Sequence, residues 1–143
     1  MSDIPDGYSP ANFAIGFLDV AGPYYLKEVE KDGHTFTRVG LRVGDSHINY
    51  VKLAHGGVLT TLADVALSYQ VHASEMPRLN VVTNSLTTNF LSGAKLGDWL
   101  EADARIDRMG GRIAYTSGTI RCGEEVLMTM SGVFTILRPK PEG

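Results

Sequence analysis

A single cysteine, Cys122, stands in the whole chain. One thiol excludes an internal disulfide and a cysteine-based zinc cluster, and it fits a reducing compartment, so a cytoplasmic location is expected. No apolar run approaches the roughly 20 residues of a membrane span. The opening "MSDIPDGYSPANF" lacks the basic and apolar regions of a signal peptide. Neither export nor a membrane partner is expected. Basic residues are not in excess: 13 Lys and Arg against 16 Asp and Glu give a net charge of −3, which leaves no field to attract nucleic acid. His34, His47, His55 and His72 show no HExxH spacing and have no cysteine partners, so no metal is expected. The P-loop, dinucleotide and GxSxG signatures are also missing, against nucleotide binding and a serine hydrolase elbow.

What is there is enough for one core. A chain of 143 residues, 43% hydrophobic, buries most of its apolar surface without covalent staples. No repeat or internal linker divides it, so residues 1–143 read as one domain, with 1–8 and 138–143 as loose tails. Ser9 and Pro10 suit the start of a short amphipathic helix over 9–20. "PYYLKEVE" and "TFTRVGLRV", separated by "KDGH", read as a β-hairpin. After residue 80, four segments alternate with period two and read as an antiparallel meander.

Between hairpin and meander lies "HGGVLTTLADVALSYQVHAS", residues 55–74, whose one formal charge is Asp64. A helix starting near Gly57 would run roughly 27 Å at 1.5 Å per residue. It is apolar nearly all round, which requires burial on more than one side. The order is α+β, with an antiparallel sheet curled around this one long helix.

A carboxylate in such a helix can be poised as a general base or nucleophile. The ordinary alternative is a narrow solvent stripe shared with Thr60, Thr61 and Ser68. The Gly pair at the helix start offers an open amide at the positive end of the dipole, with Gly57 aimed at a developing oxyanion and His55 beside it; equally, it permits a tight turn. Gly57 and Asp64 lie about 10.5 Å apart along the axis, too far for both to reach one carbonyl. Two copies with antiparallel helices would bring one copy's Gly57 to the other's Asp64.

Asn49, then His55-Gly56-Gly57, then Asp64, together with "NFLSGAKLGD" at 89–98, resemble the hotdog-fold acyl-CoA thioesterases of the phenylacetic-acid-degradation type over residues 35–137. The resemblance implies a hotdog fold and hydrolysis of an acyl-CoA to a free acid and coenzyme A. Coenzyme A is then part of the substrate, and no separate cofactor is implied. It further implies Asp64 as catalytic carboxylate, Gly57 N–H on the carbonyl oxygen, His55 at the thioester, Asn49 holding the attacking water, and Thr83 orienting that water or Asp64. Each site would be built from two subunits, within a tetramer made of two dimers. Gly93 stands where the family often has proline. Leu67, Ser68 and Val71 are expected to line the acyl group.

Coenzyme A carries phosphates, so a basic rim is expected. Arg108 and Arg112 flank Gly110-Gly111, and the amide of Gly111 can also meet phosphate. Two other readings stay open: a non-catalytic acyl-CoA-binding hotdog module, and a hotdog hydratase or dehydratase acting on an enoyl or β-hydroxyacyl group.

Overall fold

Two periodicities divide the chain, and the computed structural model, which describes residues 3–13 and 16–138, follows both. Its elements are β1 (Ser9–Pro10), α1 (Phe17–Ala21), β2 (Tyr24–Lys31), β3 (His34–Arg42), a 3-10 turn (Asp45–His47), α2 (Gly56–His72), β4 (Asn80–Phe90), β5 (Trp99–Met109), β6 (Ile113–Cys122) and β7 (Glu125–Leu137). The strands form one antiparallel sheet in the order β1-β2-β3-β5-β6-β7-β4. The expected α+β order and the single long helix are both present.

Strands β3 to β7 all touch α2, which explains a helix without a clean polar face. Leu62 and Leu67 on α2 are fully buried, as are Leu41, Leu100, Ile120, Met128 and Phe134 from the sheet. Each such side chain contributes roughly 1.5–3 kcal/mol by leaving water. The helix approaches β7 closely at Gly132, where an added Cβ would stand 2.6 Å from the Phe134 ring and 3.4 Å from Leu67.

The far face of the sheet carries charge. Asp103 on β5 pairs with Arg38 at 2.5 Å and Arg121 at 2.9 Å. Burial alone would raise the Asp103 carboxyl, but the two guanidinium groups outweigh it and hold it below the ordinary aspartate value. Tyr24, 2% exposed, is pushed up to about 12 by burial.

Three expectations need correction. The helix over 9–20 does not form: Ser9 and Pro10 pair with Leu26 and Tyr25, and α1 starts only after Gly16, whose φ of 109° no helix accommodates. Residues 14 and 15 lie outside the described residues. The described part of the 1–8 tail is held, since Tyr8 stacks edge-on against Trp99 and donates a hydrogen bond to Glu101. The C-terminal tail beyond Arg138 lies outside the described residues. Finally, the four late strands are not one meander. β5, β6 and β7 are joined as hairpins, but β4 skips across to pair with β7 from Asn80↔Leu137 to Phe90↔Met128, while β5 pairs with β3.

Candidate active site

His55 precedes α2 with extended backbone, φ −61° and ψ 141°, and caps it. Its Nδ1 accepts the Gly57 N–H at 2.8 Å. An amide can only donate, so Nδ1 is unprotonated and the neutral ring carries its proton on Nε2. Glycine suits position 57 because a Cβ there would stand 3.1 Å from that Nδ1. A capping side chain takes the second or third helical amide and leaves the first. That first amide is Gly56 N–H, for which no hydrogen bond is found among the described residues. A Cβ at 56 would meet only the Phe90 ring, at an ordinary 3.6 Å. The open amide at this terminus is thus one residue earlier than the sequence suggests. The preference of caps for the second amide is the signal that could have found it.

Asp64 sits two turns further along, half-buried. Its Oδ1 accepts the Thr83 hydroxyl from β4 at 2.6 Å. A bulge at Asn84 shifts the register between Thr83 and Ser85, so Val81 and Thr83 face α2 and Leu86 does so again beyond it. Thr60, Thr61 and Ser68, the expected companions on a solvent stripe, are partly exposed as Asp64 is, and Thr61 and Ser68 donate to the carbonyls of Gly57 and Asp64, each at 2.7 Å. Asp64 and Thr83 are therefore brought together, whereas Asp64 and the Gly pair of the same chain are not.

Asp64 opens into a hollow of about 650 Å³. Phe13, Phe17 and Leu18 form one wall, and Val65, Tyr69 and Val81 another. Asn12, Ser68, His72 and Asn80 also line it. Of the expected lining residues only Ser68 is present; Leu67 and Val71 are fully buried in the core on other faces of α2. The contribution of the N-terminal segment was not apparent from the sequence.

Asn49 has a clear local role. Its Oδ1 accepts from Val51 and Leu53 N–H at 3.0 and 3.1 Å, shaping the turn that leads to His55. The four histidines are dispersed: His47 and His72 bind main-chain carbonyls, His55 caps α2, and His34 is exposed on β3. Among the described residues no three His, Cys, Asp or Glu side chains converge as a metal set.

Arg108, Gly110, Gly111 and Arg112 come together at the β5–β6 turn around a separate hollow of about 690 Å³. Gly110 N–H closes the turn on Ile113 O at 2.8 Å. Arg138, read from the sequence as the start of a tail, donates to Gly111 O at 2.7 Å and so adds a third guanidinium to this end. Neither Arg108 nor Arg112 forms an ion pair among the described residues.

The sequence model of the Thioesterase superfamily matches residues 52–129, and the chain belongs to that superfamily, a class of hydrolases. A Pseudomonas aeruginosa relative, "Putative esterase PA0474", is 37% identical over 94% of this chain and 98% of its own. Among solved structures, the Bacillus halodurans protein BH2602, solved with CoA, has a TM-score of 0.69 at 24% identity, covering 80% of this chain and 75% of that one. The E. coli PaaI protein, from the phenylacetic acid degradation operon, has a TM-score of 0.68 at 23% identity, covering 79% and 80%. The fold is the hotdog fold. No helix among the described residues is long and apolar enough to cross a membrane.

Proposed function

We propose that the protein hydrolyses an acyl-CoA thioester to the free acid and coenzyme A, with Asp64 as general base. The observation that carries this is the Thr83–Asp64 hydrogen bond, with Asp64 itself lining a hollow that Phe13, Phe17, Leu18, Val65 and Val81 also line. Thr83 fixes Oδ1, which turns Oδ2 toward a water. Oδ2 takes a proton as the water oxygen attacks the thioester carbonyl. The oxyanion needs an amide donor, and Gly56 N–H serves better than Gly57 N–H because the latter is held by the His55 ring. The C–S bond then breaks, the thiolate is met by His55 Nε2–H, and it recovers the proton held by Asp64.

Gly56 and Asp64 of one chain are about 12 Å apart along α2, so the donor and His55 come from a second copy. The outer edge of β4, beside Thr83, has no strand partner among the described residues, which supports a dimer closed along that edge. A tetramer of two such dimers is the assembly we favour, in the cytoplasm. Asn49, through its side-chain amide, helps to hold the water. Arg108, Arg112 and the Gly111 amide meet the coenzyme A phosphates.

A thiol-release panel over aliphatic and aromatic acyl-CoAs tests this reading. Asp64→Ala should lower kcat roughly 10²- to 10⁴-fold with the fold retained. Near-wild-type turnover by that variant removes the role. Binding without thiol release in the wild type points to a non-catalytic module, and loss of enoyl absorbance to a hydratase.

A further inference from the structure

His47 is only 4% exposed, and burial of a polar ring is costly unless its atoms find partners. Both nitrogens do. Nδ1 accepts Gly44 N–H at 2.9 Å, so the ring proton lies on Nε2, which donates to Ala21 O at 2.7 Å with Gly22 O at 3.2 Å. The main chain of the same residue accepts His55 N–H at 2.8 Å. One residue therefore grips two elements. Ala21 ends α1, whose Phe17 and Leu18 wall the Asp64 hollow, and His55 caps α2.

α1 needs such a grip. It has five residues, none of them fully buried, and no side-chain cap. A helix this short does not persist by itself. Leu18 and Ala21 rest partly buried against the core, and His47 links this segment to the start of α2, its ring donating to Ala21 O and its main-chain carbonyl accepting His55 N–H.

We propose that His47 is a positioning residue that pins the α1 wall to the start of α2 and so sets the discrimination between bulky and small acyl groups. The acyl part rests on the thioesterase reading above; the pin itself does not.

The test compares the wild type with His47→Asn, which keeps an acceptor near Nδ1 but falls short of Ala21, and with His47→Gln, which keeps a donor near Nε2. Losing one buried hydrogen bond and stranding its carbonyl should speed amide exchange over residues 16–22 about ten-fold in His47→Asn. The same variant should raise KM for hexanoyl-CoA about ten-fold, with KM for acetyl-CoA and both kcat values within about two-fold. His47→Gln should restore both readouts. In the unmodified protein, the Gly22 amide should exchange within about ten-fold of those of Gly44 and His55, as one opening unit. Exchange at Gly22 far faster than at Gly44 and His55, equal KM changes for both substrates, or identical behaviour of the Asn and Gln variants overturns the proposal. If the wild type releases no thiol from either acyl-CoA, the thioesterase reading fails and amide exchange alone decides the pin.

Discussion

Replacing Gly56 with proline isolates one hydrogen-bond donor. Proline is favoured at the first helical position, where its missing N–H breaks no intrahelical bond. It also demands extended backbone of the residue before it, and His55 already has φ −61° and ψ 141°. A Cβ at 56 meets only Phe90, at 3.6 Å. The substitution thus deletes an amide while leaving the His55–Gly57 cap in place, and stability should change by less than about 1 kcal/mol. If Gly56 N–H holds the oxyanion, kcat and kcat/KM should fall together by roughly 10²- to 10³-fold, or about 2.7–4 kcal/mol. Gly57→Ala is the paired control. Its Cβ, 3.1 Å from His55 Nδ1, crowds the cap, so about 1 kcal/mol of stability should go while the Gly56 amide stays. Steady-state thiol release and thermal melting of both variants give the answer. A folded Gly56→Pro protein that turns over within a few-fold of wild type, or one less impaired than Gly57→Ala, refutes the assignment.

Further outcomes follow from the charges and the core. Asp103→Asn should cost about 2 kcal/mol at neutral pH, less than a fully buried pair, because Arg38 and Arg121 keep their charge without a partner. Since the Asp103 carboxyl is held below its ordinary 3.8, its stabilisation is complete above about pH 4 and is lost as pH falls through the lower folded value; the variant's acid unfolding limb should be flatter. Tyr24 has a buried hydroxyl with no hydrogen-bond partner among the described residues, so Tyr24→Phe should leave stability within about 1 kcal/mol by denaturant melts. Its folded value of about 12 against 10.0 makes wild-type stability complete below pH 10 and falling as pH rises toward 12, a loss the Phe variant should reduce. Arg112→Glu should raise KM for acyl-CoA about ten-fold or more with kcat little changed, because charge reversal opposes phosphate binding in ground and transition state alike.

The chain displays its architecture where hydrophobic period decides structure. α2 and the strand segments can be read from alternation, and the all-round apolarity of α2 announces a wrapped sheet. Pairing order is another matter. Nothing in the pattern of β4 says that it skips β5 for β7, because both partners offer the same alternation and the choice is made by what must cover α2. The bulge at Asn84 is hidden for a related reason: Thr83 and Ser85 are both small polar residues, so a lost phase leaves no visible scar. At the site, Asp64 stands out as the lone charge in an apolar helix, and Thr83 does reach it. The Gly56–Gly57 choice depended on a side-chain cap, and the Phe13–Phe17 wall on a segment whose helical look was misleading because Gly16 interrupts it.

The two margins of the sheet are unequal: β1 is two residues long and β4 eleven. β4 laid against the β4 of another copy occupies the longer margin in both molecules at once. Accretion through β4 is self-terminating at a pair. A fibre would have to grow from the opposite side as well, where Pro10 has no N–H to donate and the length of β2 that β1 leaves uncovered, residues 27–31, carries Lys27, Glu28, Glu30 and Lys31.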